Sequence, residues 1–277
     1  MSHSKMIITT LHNFDLVSEK AYVFSCQNYK IRKLIPELDV IDIDLFSKQD
    51  LNYIKNTIWV IETNKRNSLN ISEEINLILI AIKIFFRKST YAKYRICKDN
   101  ILKCRRLTEA QSFTDTESYE PLEYSDLGKI DYGFECLKEM RSISNRTYNA
   151  LYFLYRGFYS YQWRDSYIFL ICVIESLFSK NTAGGNTNKI CKRVSRFIDD
   201  INYNEDKIRN IYNLRSDLIH GRITLDDKSE NNIKKVSELE DLVIRIVEKI
   251  LNEKIYLHYQ SDENRSKYLG NLATKKA

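Results

Sequence analysis

The sequence predicts a predominantly α protein, with a helical bundle in its C-terminal half and a smaller α+β domain before it. Three observations carry this. Only two prolines and seven glycines occur in 277 residues, too few for a turn-rich all-β fold. From about residue 131 apolar residues recur every three or four positions, the period of helices that bury one face. Before about residue 110 the apolar runs are short, β-branched or aromatic, and broken by polar residues, as strands are.

In the N-terminal unit, residues 1–110, Met6–Leu11, Ala21–Cys26, Leu38–Leu45 and Thr57–Thr63 read as strands. Ser72-Glu73-Glu74 sets a hydroxyl cap and first-turn carboxylates ahead of the apolar run Ile75–Phe86, so a buried helix is expected to begin there. Tyr94–Cys97 and Leu102–Leu107 flank Lys98-Asp99-Asn100, a hairpin signal. The polar, patternless segment Gln111–Ser118, followed by Pro121, marks residues 111–130 as a linker.

Helices are expected near 131–142, 145–160, 164–180, 187–199, 204–220 and 231–254. The last is the clearest, with Ile233, Val236, Leu239, Leu242, Val243, Ile246, Val247, Ile250 and Leu251 on one stripe. The 164–180 helix is apolar on every side from Tyr167 to Ile174, which suits the centre of a bundle. After Leu257 the chain is polar, and 255–277 reads as a frayed tail.

Bulk properties bound the function. With 43% apolar and 29% charged residues the chain is globular. A net charge of +6 permits nucleic-acid binding without arguing for it. Six cysteines form no C-x-x-C pair and only four histidines occur, so neither a metal site nor a cofactor is expected. Cys172, inside an apolar run, reads as a buried small hydrophobe. The N-terminus lacks the apolar core of a signal peptide, and apolar stretches reach only about eight residues, so a cytoplasmic chain with no membrane contact is expected.

Two charges stand where apolar residues belong. The stripe Ile208, Ile211, Tyr212, Leu218, Ile219 also carries Arg215, one heptad after Ile208. Burying an unpaired guanidinium costs several kcal/mol, so Arg215 needs a partner or a wet cavity. Glu175 follows eight apolar residues on the central helix and precedes Leu177-Phe178. We expect the two to meet across a helix–helix contact, a bidentate pairing serving to orient the guanidinium; a structural ion pair without chemistry is the competing reading. His220 follows Arg215 by five residues, about 140° around an intact helix. Gly221 then terminates that helix, so His220 is expected at a last turn that favours its imidazolium. Ser216 and Asp217 lie within its reach on the same helix. A simple capping role is the alternative for His220.

The segment Tyr212-Asn213-Leu214-Arg215-Ser216-Asp217-Leu218-Ile219-His220-Gly221 resembles the signature of HEPN domains: an arginine, four to six residues, then a histidine. The wording "LRSDLIHG" is similar to the Apea-like branch, and Trp163-Arg164-Asp165 leading into Ile174-Glu175-Ser176-Leu177-Phe178 resembles that branch's second conserved stretch. The resemblance covers roughly 131–254. It implies a helical bundle that dimerises and brings two Arg/His motifs into one cleft, with Arg215 and His220 as the catalytic pair; the spacing of charges above adds Glu175, Ser216 and Asp217 in support. It also implies a metal-independent endoribonuclease of the kind found among toxins and antiviral effectors, with the N-terminal domain sensing a trigger or binding a regulatory partner. Active members often carry Asn, Asp or His directly after the arginine; here it is Ser216.

The chemistry suits those side chains. A metal-free cleavage uses the RNA's own 2′-hydroxyl, His220 moving a proton and Arg215 stabilising charge on the phosphoryl oxygens. Lys189, Lys192, Arg193 and Arg196 fall on one helix face, a candidate track for RNA phosphates; an ordinary solvated face is the alternative. Tyr152, Tyr155, Tyr159 and Tyr161 have the type to stack bases, against packing in a core or dimer interface. A non-catalytic HEPN protein that binds nucleic acid or a partner is the second functional reading.

Overall fold

The computed structural model describes residues 6–35, 47–63, 68–98, 103–106, 120–180, 186–222 and 230–274. The chain is mainly helical with a smaller α+β part, and it divides into two compact units between Phe134 and Glu135.

In the N-terminal unit, β1 (Met6–His12), β2 (Tyr22–Val23), β3 (Tyr29–Lys33), β4 (Trp59–Thr63), β5 (Tyr91–Lys98) and β6 (Lys103–Arg106) form one sheet in the order β2-β3-β4-β1-β5-β6. All pairings are antiparallel; Ile7 faces Thr63 and Leu11 faces Trp59. Ile7 through Leu11 are buried without alternation, so β1 is covered on both faces rather than half-solvated. Helix α1 (Lys48–Lys55) precedes β4, and α2 (Ser68–Phe86) follows it. From Glu74 to Ile84 α2 buries nearly every side chain, the polar ones with partners: Tyr29 donates to Glu74 at 2.7 Å and Lys83 to Ser89 at 2.9 Å.

Several sequence expectations need correction here. β3 was not anticipated, because Lys30, Arg32 and Lys33 mask the alternation of Tyr29 and Ile31, both fully buried. Ser72 does not cap a helix: α2 already begins at Ser68, and the Ser72 hydroxyl accepts a hydrogen bond from Arg95. β4 starts at Trp59, two residues after Thr57, and β2 shrinks to two residues. The expected hairpin is present as β5 and β6, whose connecting residues, like Leu38–Leu45, lie outside the described residues.

The linker expected at 111–130 is corrected from residue 120 onward. Leu122 exchanges backbone hydrogen bonds with Asp15 and Val17 at 2.9 Å, and α3 (Asp126–Ile143) begins at Asp126 rather than 131. Asp131 accepts from the Tyr22 hydroxyl and from both the backbone and side chain of Ser25. Leu122, Leu127 and Ile130 are buried; Pro121 and the surrounding charges hide this short apolar pattern. Residues 120–134 therefore belong to the N-terminal unit.

The C-terminal unit continues α3 and adds α4 (Asn145–Phe158), α5 (Trp163–Phe178), α6 (Asn186–Ile198), a 3-10 turn Ile201–Tyr203, α7 (Glu205–Ile219), α8 (Glu230–Asn252), a 3-10 turn Ile255–Tyr259 and α9 (Asp262–Thr274). α5 is the hub, packing on α4, α6, α7 and α8, as an all-round apolar helix must. On α8, Val236, Leu239, Leu242, Val243, Ile246, Val247, Ile250 and Leu251 are each at most 1% exposed, worth about 1.5–3 kcal/mol apiece. The tail expected to fray is instead part of the fold. Tyr256 donates to Glu139 at 2.6 Å, Tyr259 donates to the Leu177 carbonyl at 2.7 Å, and Arg265 donates to the Ser179 carbonyl. Polar residues tie this segment down by donating to a carboxylate on α3 and to carbonyls at the end of α5, a role that hydrophobic periodicity does not register.

Candidate functional site

α7 is positioned from both ends. Asn204 caps its N-terminus by accepting from Lys207 N at 2.9 Å, with Glu205 and Asp206 in the first turn, both favourable at a helix start. In its middle, the buried Tyr167 hydroxyl of α5 donates to the Ile211 carbonyl at 2.8 Å, one turn before Arg215. At its end, Gly221 takes φ +64°, Arg222 N donates to Asp217 O at 2.9 Å and Gly221 N donates to Leu218 O at 3.4 Å. These are the two bonds of a Schellman ending, with a glycine where a left-handed residue is needed.

Arg215 meets Glu175, as the two misplaced charges predict. Nη2 stands 3.5 Å from Oε1, and the side chains keep 35% and 32% of their exposure. The contact is single rather than bidentate, and Arg215 Nε is buried with no hydrogen bond. An ion pair this exposed contributes less than about 1 kcal/mol to stability. Its effect is on orientation: it holds the guanidinium against α5 while leaving it reachable from solvent.

Two residues that sequence reasoning did not place in the site stand beside this pair. Tyr212 is buried with no hydrogen bond to its hydroxyl; burial, and then the Glu175 charge, push its phenol well above the usual range. Cys172 is half-buried rather than sealed in the core, and burial followed by Glu175 raises its thiol, Arg215 opposing. Both remain protonated at neutral pH and wall the pair rather than add charge. The available signal was spacing: Cys172 precedes Glu175, and Tyr212 precedes Arg215, by three residues.

His220 is the C-cap of α7, exposed, with its backbone N–H on Ser216 O at 3.0 Å. Because α7 stays helical through Ile219, His220 projects about 140° from Arg215. The structure thus brings Arg215 to Glu175 but does not bring His220 to Arg215 within one chain. Ser216 is half-buried, and Asp217 faces Arg222 at 3.5 Å rather than the imidazole.

The basic stripe on α6 is corrected. Lys189 is exposed and Lys192 half-exposed, but Arg193 is 3% exposed and donates to the Phe178 carbonyl at 2.7 Å. Arg196 donates to the carbonyls of Leu272 and Ala273. Both arginines satisfy carbonyls that helix ends leave without partners, so neither belongs to a phosphate track. Of the tyrosines, Tyr152 and Tyr161 are 52% and 61% exposed, whereas the Tyr155 and Tyr159 rings pack together at 5.0 Å.

Among the described residues, no group of three or more His, Cys, Asp or Glu side chains is arranged to hold a metal ion, and no helix is long and apolar enough to cross a membrane. No family model, curated protein or solved structure matches the chain.

Proposed function

We propose that the C-terminal unit is a metal-independent endoribonuclease of HEPN type, acting in the cytoplasm as a toxin or antiviral effector. Arg215 and His220 are its catalytic residues, and the N-terminal unit senses a trigger or binds a regulator. The observation that carries the reading is the Arg215–Glu175 pair: a guanidinium on an otherwise apolar stripe, oriented by a carboxylate and still open to solvent, on the helix that ends in an exposed histidine.

In the reaction, His220 removes the proton from the RNA 2′-hydroxyl, whose oxygen attacks the adjacent phosphorus. The P–O5′ bond breaks, the leaving oxygen takes a proton, and a 2′,3′-cyclic phosphate and a 5′-hydroxyl result. Arg215 stabilises the phosphoryl oxygens as their charge grows. DNA has no 2′-hydroxyl and is not cut. The angular offset between Arg215 and His220 on one helix supports a homodimer in which the arginine of one protomer works with the histidine of its partner.

The test is labelled RNA incubated in EDTA with wild type, Arg215→Ala, His220→Ala and a refolded mixture of the two variants. Wild type cuts, each variant alone is inactive, and the mixture regains about a quarter of the activity, since half the dimers then hold one intact composite site of two. Cutting that survives His220→Ala defeats the assignment; a mixture without recovery defeats the composite site. Ser216 after the arginine favours a second reading, a non-catalytic HEPN module that binds nucleic acid or a partner protein. RNA bound but left uncut is its signature.

A further inference from the structure

Tyr212 takes no part in the reaction as written, yet it stands one turn before Arg215 on α7. It is 4% exposed, and its hydroxyl is buried with no hydrogen bond. Phenylalanine would fill the same space with no polar atom to desolvate, so a hydroxyl kept without a partner in a core is a net loss to the fold. Packing explains the ring and not the oxygen.

The surroundings narrow what the oxygen is for. α5 and α7 meet where Tyr167 donates to the Ile211 carbonyl and again where Glu175 faces Arg215, and Tyr212 falls between those two points on α7. Of the charges acting on its phenol Glu175 is the strongest, Arg215 opposing it. The Arg215–Glu175 contact is a single one at 3.5 Å, and Arg215 Nε is also buried without a hydrogen bond. Two donors thus stand idle beside a carboxylate that is loosely held. A carboxylate has about four acceptor sites, so Glu175 has room for a second donor.

We propose that Tyr212 is a positioning residue whose hydroxyl takes hold of Glu175 when Arg215 leaves that carboxylate for the scissile phosphate, an inference that rests on the nuclease reading of Arg215. A guanidinium turning to a phosphate gives up its carboxylate, and Glu175 is then charged, half-buried and without a cation. A phenol donor held in place beside it replaces the lost contact with no movement of the backbone. The exchange is therefore less uphill, and it is completed as charge grows on the phosphoryl oxygens. The idle hydroxyl of the resting site is the reserve half of that exchange.

Thermal unfolding of the full chain is compared for wild type, Tyr212→Phe, Arg215→Ala and the double variant. With Arg215 present, Tyr212→Phe leaves Tm unchanged or raises it, because the hydroxyl has no partner there. In Arg215→Ala the hydroxyl is the donor left to Glu175, and its removal lowers Tm by about 2 °C or more. That change of sign is the signature, and adding Glu175→Ala abolishes it. Arg215→Met takes the place of Arg215→Ala where the latter fails to fold. In RNA cleavage Tyr212→Phe lowers kcat by about tenfold and holds KM, a split that a packing role does not produce. The same effect of Tyr212→Phe on Tm with and without Arg215 overturns the proposal, as does an undiminished kcat. RNA left whole by wild type defeats the nuclease reading instead, and the change of sign in Tm still decides whether Tyr212 takes over Glu175.

Discussion

Gly157→Ala isolates the contact that sets α5, and with it Glu175, in place. Gly157 faces α5 so closely that an added Cβ stands 2.7 Å from Leu170 Cδ2, 2.8 Å from its Cγ and 3.4 Å from its backbone nitrogen. Leu170 is fully buried and has no room to retreat, and the Ser166 hydroxyl bonds the Gly157 carbonyl across the same approach at 2.7 Å. Two effects oppose each other. Alanine gains about 1 kcal/mol over glycine in a helix interior. Overpacking costs about 1–3 kcal/mol, and prising the helices apart endangers a hydrogen bond worth about 1 kcal/mol. The clash wins, and the net loss is about 1–2 kcal/mol, a fall in Tm of roughly 2–8 °C for a unit of this size. Gly128→Ala is the control: its Cβ meets nothing within 4 Å, so the helical gain stands alone and Tm holds or rises. The assay is thermal unfolding followed at 222 nm, with urea unfolding as a check. A Gly157→Ala protein as stable as wild type, or more so, refutes the reasoning.

Arg193→Met keeps the aliphatic stem but leaves the Phe178 carbonyl without its donor; a loss of about 1–3 kcal/mol in urea unfolding is expected, with Lys189→Ala neutral, whereas a phosphate-binding role would show the reverse sensitivity in RNA affinity and none in stability. Gly221→Ala forces a side chain into the left-handed region at φ +64° and should cost about 1–2 kcal/mol, with cleavage lost faster than fold because His220 leaves its cap position; unchanged stability contradicts the Schellman assignment. Tyr167, Tyr203, Tyr212 and Tyr259 all have phenols pushed up chiefly by burial. Their raised native pKa values give stability that is complete below the unfolded value of about 10 and is lost as pH climbs through the native ones. Tm should therefore fall above about pH 10, with phenolate absorbance appearing only on unfolding; early phenolate signal in the folded protein defeats this. The Cys191 thiol, pushed up to about 11 chiefly by burial, should resist alkylation at pH 8 until the chain is unfolded, and rapid labelling of the native protein would count against its burial.

The sequence was most readable where one physical demand acts alone. The stripe on α8 and the all-round apolar α5 follow from burial and period, and the meeting of Glu175 with Arg215 follows from two charges that had nowhere else to go. Gly221 announced the end of α7 because few other residues adopt φ +64°. What stayed hidden involves polar side chains answering backbone groups distant in sequence. Arg193 looked like one face of a basic stripe, yet the Phe178 carbonyl claims it. Tyr256, Tyr259 and Arg265 looked like a loose end, yet each serves as a donor to another helix. β3 shows a third case, where three basic residues on a five-residue strand drown a two-residue apolar alternation.

The seam between the units has a practical consequence for anyone who divides this chain. Helix α3 runs unbroken from Asp126 to Ile143, and the change of allegiance falls inside it. A fragment ending at residue 130 would shed Asp131, leaving Tyr22 and Ser25 without their shared acceptor, and Phe134, whose ring meets those of Phe24 and Tyr29 edge-on. A fragment beginning at 131 would carry the Phe134 ring without Phe24 and Tyr29. Asp126–Ile143 is continuous helix across the point where the units divide, so proteolysis should find no clean scission point within it.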